Sequence, residues 1–126
     1  MIIIGHPWIE SDRFCKVFLQ KDIKKSPAGT VVLLEPLVDS HTLARYCKEN
    51  QIPFAVTVNT LQEAIFANAL GASYMVCEED DALIIQPIAQ EYLFDTRVLA
   101  LIHEEKEIAK IARSGIDGVI FPEAIC

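Results

Sequence analysis

Short β-branched runs alternate with helical patterns along this chain, and the strand starts recur about every 20 to 24 residues. That spacing is the length of a minimal βα unit, and it limits the fold more than any other feature. Strands joined through helices run parallel, because right-handed crossovers allow little else. Most of the strands are apolar along their length rather than alternating, as a sheet covered on both faces requires.

The units follow one another closely. "TVVLLE" (30–35) is a strand bounded by Pro27-Ala28-Gly29 and Pro36, and Asp39 or Ser40 caps a helix running to about Gln51. "FAVTV" (54–58) is the next strand. Thr60 and Glu63 make a T-x-x-E capping box for a helix over 61–70, which Gly71 stops. "SYMVCE" (73–78) precedes a helical stretch from Asp80 to Phe94, where Pro87 predicts a short turn followed by the main helix. "RVLALI" (97–102), a helix over 104–113 ended by Gly115, and "GVIF" (118–121) complete the series. Before it, "MIII" reads as a buried strand, "RFCKVF" as an alternating edge strand, and Leu19 to Lys25 as a short helix.

With 126 residues and no linker or low-complexity tract, residues 1–126 read as a single α/β domain. The fold class is a three-layer, mostly parallel sheet built from successive βα units, with an open doubly wound sheet favoured and a part-barrel of the (β/α)8 type as the alternative. A closed eight-stranded barrel needs roughly 200 residues or more. Strand order is not written in local patterns, so the sequence does not decide between the two.

Charge and composition exclude several functions. From Thr60 onward twelve acidic side chains face only Arg97, Lys106, Lys110 and Arg113, in a chain of net charge −7. Such a surface repels a phosphate backbone, so no nucleic-acid partner is expected. The cluster Arg13, Lys16, Lys21, Lys24 and Lys25 reads as a solvated edge. "MIII" lacks the features of a secretory signal and no run reaches the length of a membrane span, so no membrane partner and a cytoplasmic location are expected. Cys15, Cys47, Cys77 and Cys126 form no CxxC pair, in keeping with a reducing compartment. The apolar fraction of 52% is slightly high, and in "LQEAIFANAL" Phe66 and Leu70 lie off the stripe made by Leu61 and Ile65. That wide apolar arc predicts a helix covered on two sides and, around Phe66 and Leu70, a homo-oligomer contact.

Ligands of parallel sheets sit at the carboxyl ends of the strands. Those positions carry His6 and Trp8, then Glu35, Asn59, Glu78, His103 and Glu123. His6, Glu35, Glu78 and His103 are the catalytic candidates, and general acid–base work is the least demanding reaction they could perform. Ordinary duties compete with this reading. Asn59 and Thr60 serve as caps, while Glu79, Asp80, Asp81, Glu104 and Glu105 complement helix dipoles. His103 can be a surface residue, His41 is solvated, and His6 can be a structural histidine packed under Trp8. A metal site from His6, His103 and Glu35 or Glu78 has suitable ligand types but no diagnostic spacing, so no metal or cofactor is assigned. Cys77 ends a strand at the rim, yet nothing in the sequence places a histidine near it. No GxSxG, P-loop or GxGxxG is present.

"EAIFANALGASYMVCE" and "EIAKIARSGIDGVIF" are similar to stretches of phosphate-binding (β/α)8-barrel enzymes, such as the aldolase and the phosphoribosyl-anthranilate or indole-glycerol-phosphate groups. The resemblance spans residues 53–121 and consists of a helix with small residues, a Gly-x-Asp/Ser turn and a buried strand. It implies a Gly-rich loop after the last strand whose amides grip phosphate at a helix N-terminus. Here "VIF" is followed by Pro122, which has no amide hydrogen, and by the negative charge of Glu123. The strands from residue 30 onward contain no counterpart of the aldolases' catalytic lysines. The sequence therefore supports a non-catalytic binding or assembly protein. The alternative is a small-molecule enzyme or degenerate barrel relative with its site at the strand ends.

Overall fold

Each βα unit expected after Thr30 is present in the computed structural model, which describes residues 1–126. The strands are β1 (Ile2–Ile4), β2 (Phe14–Val17), β3 (Val31–Leu34), β4 (Phe54–Thr57), β5 (Tyr74–Cys77), β6 (Arg97–Leu101) and β7 (Gly118–Ile120). The helices are α1 (Gln20–Lys25), α2 (Leu37–Glu49), α3 (Leu61–Ala69), α4 (Glu79–Glu91) and α5 (Glu107–Arg113), and a 3₁₀ turn (Pro122–Ala124) follows β7.

The strands form one all-parallel sheet in the order β1-β7-β6-β5-β4-β3-β2. From β2 to β7 the order follows the sequence, so every crossover steps in the same direction. A right-handed crossover that never reverses puts every helix on the same side. The sheet curls into a half-barrel, and this is the part-barrel rather than the favoured open doubly wound arrangement. Double winding needs a point where strand order reverses, and this sheet has none.

Two cores result. The larger, of 25 buried residues, joins the helix face of the sheet (Val32, Leu34, Phe54, Val56, Met75, Val98) to Ala44, Cys47, Ala64, Ala67, Ile85 and Ile111 of the helices. Alanines at these helix positions let the helices sit close on the sheet. The smaller core holds nine buried residues of the concave face, among them Phe14, Leu33, Ala55, Val76, Leu99 and Ile120, together with Ala124. Successive residues of β3 to β6 alternate between the two cores, so these strands are apolar on both faces, as the sequence indicated, while edge strand β2 exposes Lys16.

No helix covers the concave face. β1 and β2 lie at opposite edges of the sheet and run parallel, so residues 5–13 must return across the open side of the half-barrel. The chain after β7 crosses the same side. The Phe121 amide donates to the Ile4 carbonyl, Ala124 enters the concave core, and the Cys126 amide donates to Phe14 of β2. The third layer is therefore irregular chain.

Two glycines allow these close approaches. A Cβ on Gly118 would lie 2.5 Å from the Ile2 carbonyl oxygen and 2.9 Å from Leu99 Cδ2, so β1, β7 and β6 meet only around a bare backbone. Gly5, at φ +95°, sits where a Cβ would come within 2.9 Å of Ala124 Cβ.

Local signals in the sequence hold with a few corrections. Thr60 Oγ1 accepts from the Glu63 amide at 3.1 Å while Glu63 Oε2 accepts from Asn59 N–H, a working cap for α3. α2 starts earlier than read, at Leu37, and Ser40 lies inside it with its hydroxyl donating to the Glu35 carbonyl at 2.6 Å. α5 starts later, at Glu107. α4 runs unbroken from Glu79 to Glu91, with Pro87 inside rather than at its start. Pro87 and Leu83, whose carbonyl loses its helical donor, both lie on the exposed side, where solvent reaches the helix. "MIII" makes an edge strand, less buried than expected.

Candidate functional site

The carboxyl ends of the parallel strands and the open side of the half-barrel meet in one groove of about 1400 Å³. His6, Trp8, His103, Glu105, Phe121 and Glu123 line its upper part. The structure thus brings His6 and His103 to one groove, and leaves Glu35 and Glu78 outside it. Those two follow β3 and β5, farther round the rim from β1.

His6 is held at both ring nitrogens. Nδ1 accepts from the Trp8 amide at 3.1 Å, and Nε2 lies 2.7 Å from Glu105 Oε2. A main-chain amide can only donate, so Nδ1 carries no proton, and Nε2–H donates to the carboxylate. A histidine that serves as a base or a metal ligand in a carboxylate–histidine pair keeps its second nitrogen free. Here the second nitrogen is taken. The ring also packs edge-on to Trp8, with centroids 5.2 Å apart, and against Phe121 at 5.9 Å. His6 therefore anchors the crossing loop to the segment after β6, which is the structural role weighed against catalysis.

His103 is exposed, and its side chain makes no hydrogen bond. Its backbone does have a partner: the amides of His103 and Glu104 both donate to Glu107 Oε2, at 3.1 and 3.0 Å. These two bonds, the His103 one first, hold the Glu107 carboxyl below its ordinary value of 4.5. This is a reverse cap on the turn leading into α5, with a carboxylate at a helix start as the dipole favours.

Other rim residues resolve into local duties. Glu78 is the N-cap residue of α4, without a side-chain cap bond, and Glu79 pairs with Lys110 at 3.1 Å. Cys77 is buried, its thiol donating to the Leu99 carbonyl at 3.7 Å, and burial, reinforced by Asp81 and Glu78, pushes it up to about 12. It stays a neutral thiol at physiological pH, which removes it as a nucleophile. No group of three or more His, Cys, Asp or Glu side chains converges as a metal site.

The Gly-x-Asp turn before β7, part of the resembling stretch, has structural work. Asp117 Oδ2 accepts from the Val98 amide at 2.9 Å, and the Asp117 amide donates to Gln86 Oε1 at 3.0 Å. These bonds tie β7, β6 and α4 together below the sheet. Beyond β7, Pro122–Ala124 turns the chain towards β2 and leaves Glu123 exposed beside the groove.

Sequence reasoning missed Glu105, read only as a helix-start charge. Its bond to His6 spans 99 residues, and no local pattern reports such a pair. Trp8, which the sequence shows only as a neighbour of His6, is 87% exposed on the groove. Compared with known proteins, the chain matches no protein-family model and no curated sequence.

Proposed function

We propose that this chain is a non-catalytic binding or assembly protein that associates with copies of itself through the outer face of α3 and α4. The observation that carries the reading is a set of exposed apolar side chains on these neighbouring helices: Ile65 (45%), Phe66 (55%), Leu83 (42%) and Ile84 (61%). Both pairs begin four residues past the first residue of their helix, so they stand at one height on parallel helices. Apolar surface grouped in this way marks interaction sites. The one charged residue of α3, Glu63, is committed to its cap, so two copies related by a twofold axis meet there without burying an α3 charge. Leu70, expected beside Phe66 in this contact, is half-buried against the chain's own core, which leaves the contact to the other four.

Sedimentation velocity tests the reading. The wild type is expected to sediment as an oligomer and a Phe66→Asp/Ile84→Asp double variant as a folded monomer. A wild type that stays monomeric at high concentration removes it. Four free thiols support a reducing, cytoplasmic setting.

A second reading has its own support, the exposed Trp8 ring above the groove. It is a small-molecule site at the strand ends, where Trp8 supplies a stacking surface and His103 an unpartnered imidazole. Trp8 is the only tryptophan, so its fluorescence reports ligand entry directly. A small-molecule library that leaves this emission unchanged counts against the groove.

A further inference from the structure

Cys126 lies beside β2 as an added strand residue. Its amide donates to the Phe14 carbonyl at 2.8 Å, and its carbonyl accepts from the Lys16 amide at 3.0 Å. Bonds to the residues on either side of Cys15 make Cys126 the parallel register partner of Cys15, one step beyond the Phe14–Ile125 bridge. Register partners point to the same face of a sheet, on strands about 4.8 Å apart. That separation falls within the Cα range that a disulfide spans. The two thiols also share a small cavity with Lys16, Asp22, Lys25 and Ser26.

We infer that Cys15 and Cys126 form an oxidisable thiol pair, whose disulfide fastens the chain after β7 to the free edge of β2 when a peroxide is present. The geometry assigns the order of events. Cys126 is exposed and Cys15 buried, so peroxide reaches Cys126 first. The Cys126 sulfur attacks one peroxide oxygen, the O–O bond breaks, and water leaves, giving a sulfenic acid. Cys15 then gives up its proton and attacks the Cys126 sulfur. The S–O bond breaks, the S–S bond forms, and a second water leaves. Two thiols have lost two electrons and two protons, and one peroxide has become two waters.

The surroundings suit this sequence. In the reduced protein the neighbouring Cys126 thiol and burial hold the Cys15 thiol up, while the Thr30 hydroxyl and the Arg13 charge favour its thiolate. Cys47 and Cys77, buried in the helix-side core and pushed up to about 11 and about 12, are internal controls.

Peptide mapping without reductant, after hydrogen peroxide treatment of the full chain, tests the pair. The expected product is one linked peptide joining Cys15 to Cys126, on a monomer lighter by two hydrogens and restored by dithiothreitol. Cys47 and Cys77 remain alkylatable in the unfolded product. Oxidation is expected to raise Tm by roughly 5 °C or more in the wild type and to leave Cys126→Ser unchanged. Because Cys126 is exposed, this variant keeps the fold, and far-UV circular dichroism verifies it. The inference is overturned if Cys126 proceeds to sulfinic acid or to an intermolecular disulfide while Cys15 stays alkylatable. A linked peptide with no rise in Tm overturns the fastening role.

Discussion

Five helices cover one face of the sheet, whereas the other face is closed by the loop of residues 5–13 and the chain after β7. The helix side is local in sequence. Each helix packs on the strands that flank it in the chain, and each junction is one βα unit. The concave side is non-local: Gly5 meets Ala124, His6 meets Glu105, and Phe14 meets Cys126. The difference teaches where the fold is determined. A βα repeat suffices to build the helix-side core, but a half-barrel of such repeats leaves an apolar trough that needs separate chain to close it. The groove and Trp8 lie along that closure, so the candidate site belongs to the non-helical side, whereas the Cys15–Cys126 pair sits where the closing chain reaches β2, beside α1.

Substitutions can break or sharpen this contrast. The largest effect is expected from Phe14→Ala, which removes the largest buried side chain of the concave core. If irregular chain seals that face as well as helices seal the other, Phe14→Ala costs about 3–5 kcal/mol in urea unfolding, the same range as Phe54→Ala on the helix side. A cost below about 1 kcal/mol for Phe14 alone would falsify the equivalence of the two cores. Next comes Gly118→Ala, where the new methyl meets backbone as well as side chain. Separation of β1 from β7 is expected to cost about 2–3 kcal/mol. Protection of the Ile4 and Phe121 amides from hydrogen exchange should fall before that of β4 and β5.

Smaller effects probe the anchors of the crossing loop. Glu105→Gln removes the carboxylate that holds His6, and because Glu105 is exposed the loss is expected to be about 0–1 kcal/mol. The same anchor has a spectroscopic signature: ¹⁵N shifts of His6 should report the Nε2–H tautomer in the wild type. An Nδ1–H tautomer would contradict the Trp8 bond and reopen His6 as a site residue. The smallest effect is a pH dependence at the turn before α5. The Glu107 carboxyl is lowered in the folded state, so its contribution to stability is present above about 4.5 and fades as pH falls through the lowered value. Stability curves of wild type and Glu107→Gln should accordingly differ at neutral pH and converge in acid. Curves that stay parallel to the lowest pH would show that the carboxylate charge is not what caps this turn.

Much of the helix side was legible in the sequence because its signals are short-range. Thr60 and Glu63 announce a cap three residues apart, and Gly71 and Gly115 mark helix ends. Where a local rule failed, the environment explains it. Pro87, lacking a donor, predicts a helix start, but on the exposed side of α4, one turn from Leu83, the loss is tolerated inside the helix. The candidate site was legible only in part. The rule that sites follow parallel strands found His6 and His103, which share the groove, along with Glu35 and Glu78, which do not. The partner of His6 could not be found that way, since Glu105 looked like any acidic residue ahead of a helix.

By itself the sequence determined the α/β class and the parallel direction of the strands. These follow from periodicity and from the handedness of short crossovers, which act within one or two elements. Only the tertiary structure decided the strand order, the half-barrel, the anchoring of His6 and the meeting of Cys15 with Cys126. Each depends on the two edges of a curled sheet being bridged by chain far apart in sequence. That closure is set by the packing of the whole concave face, in which no single segment carries the information.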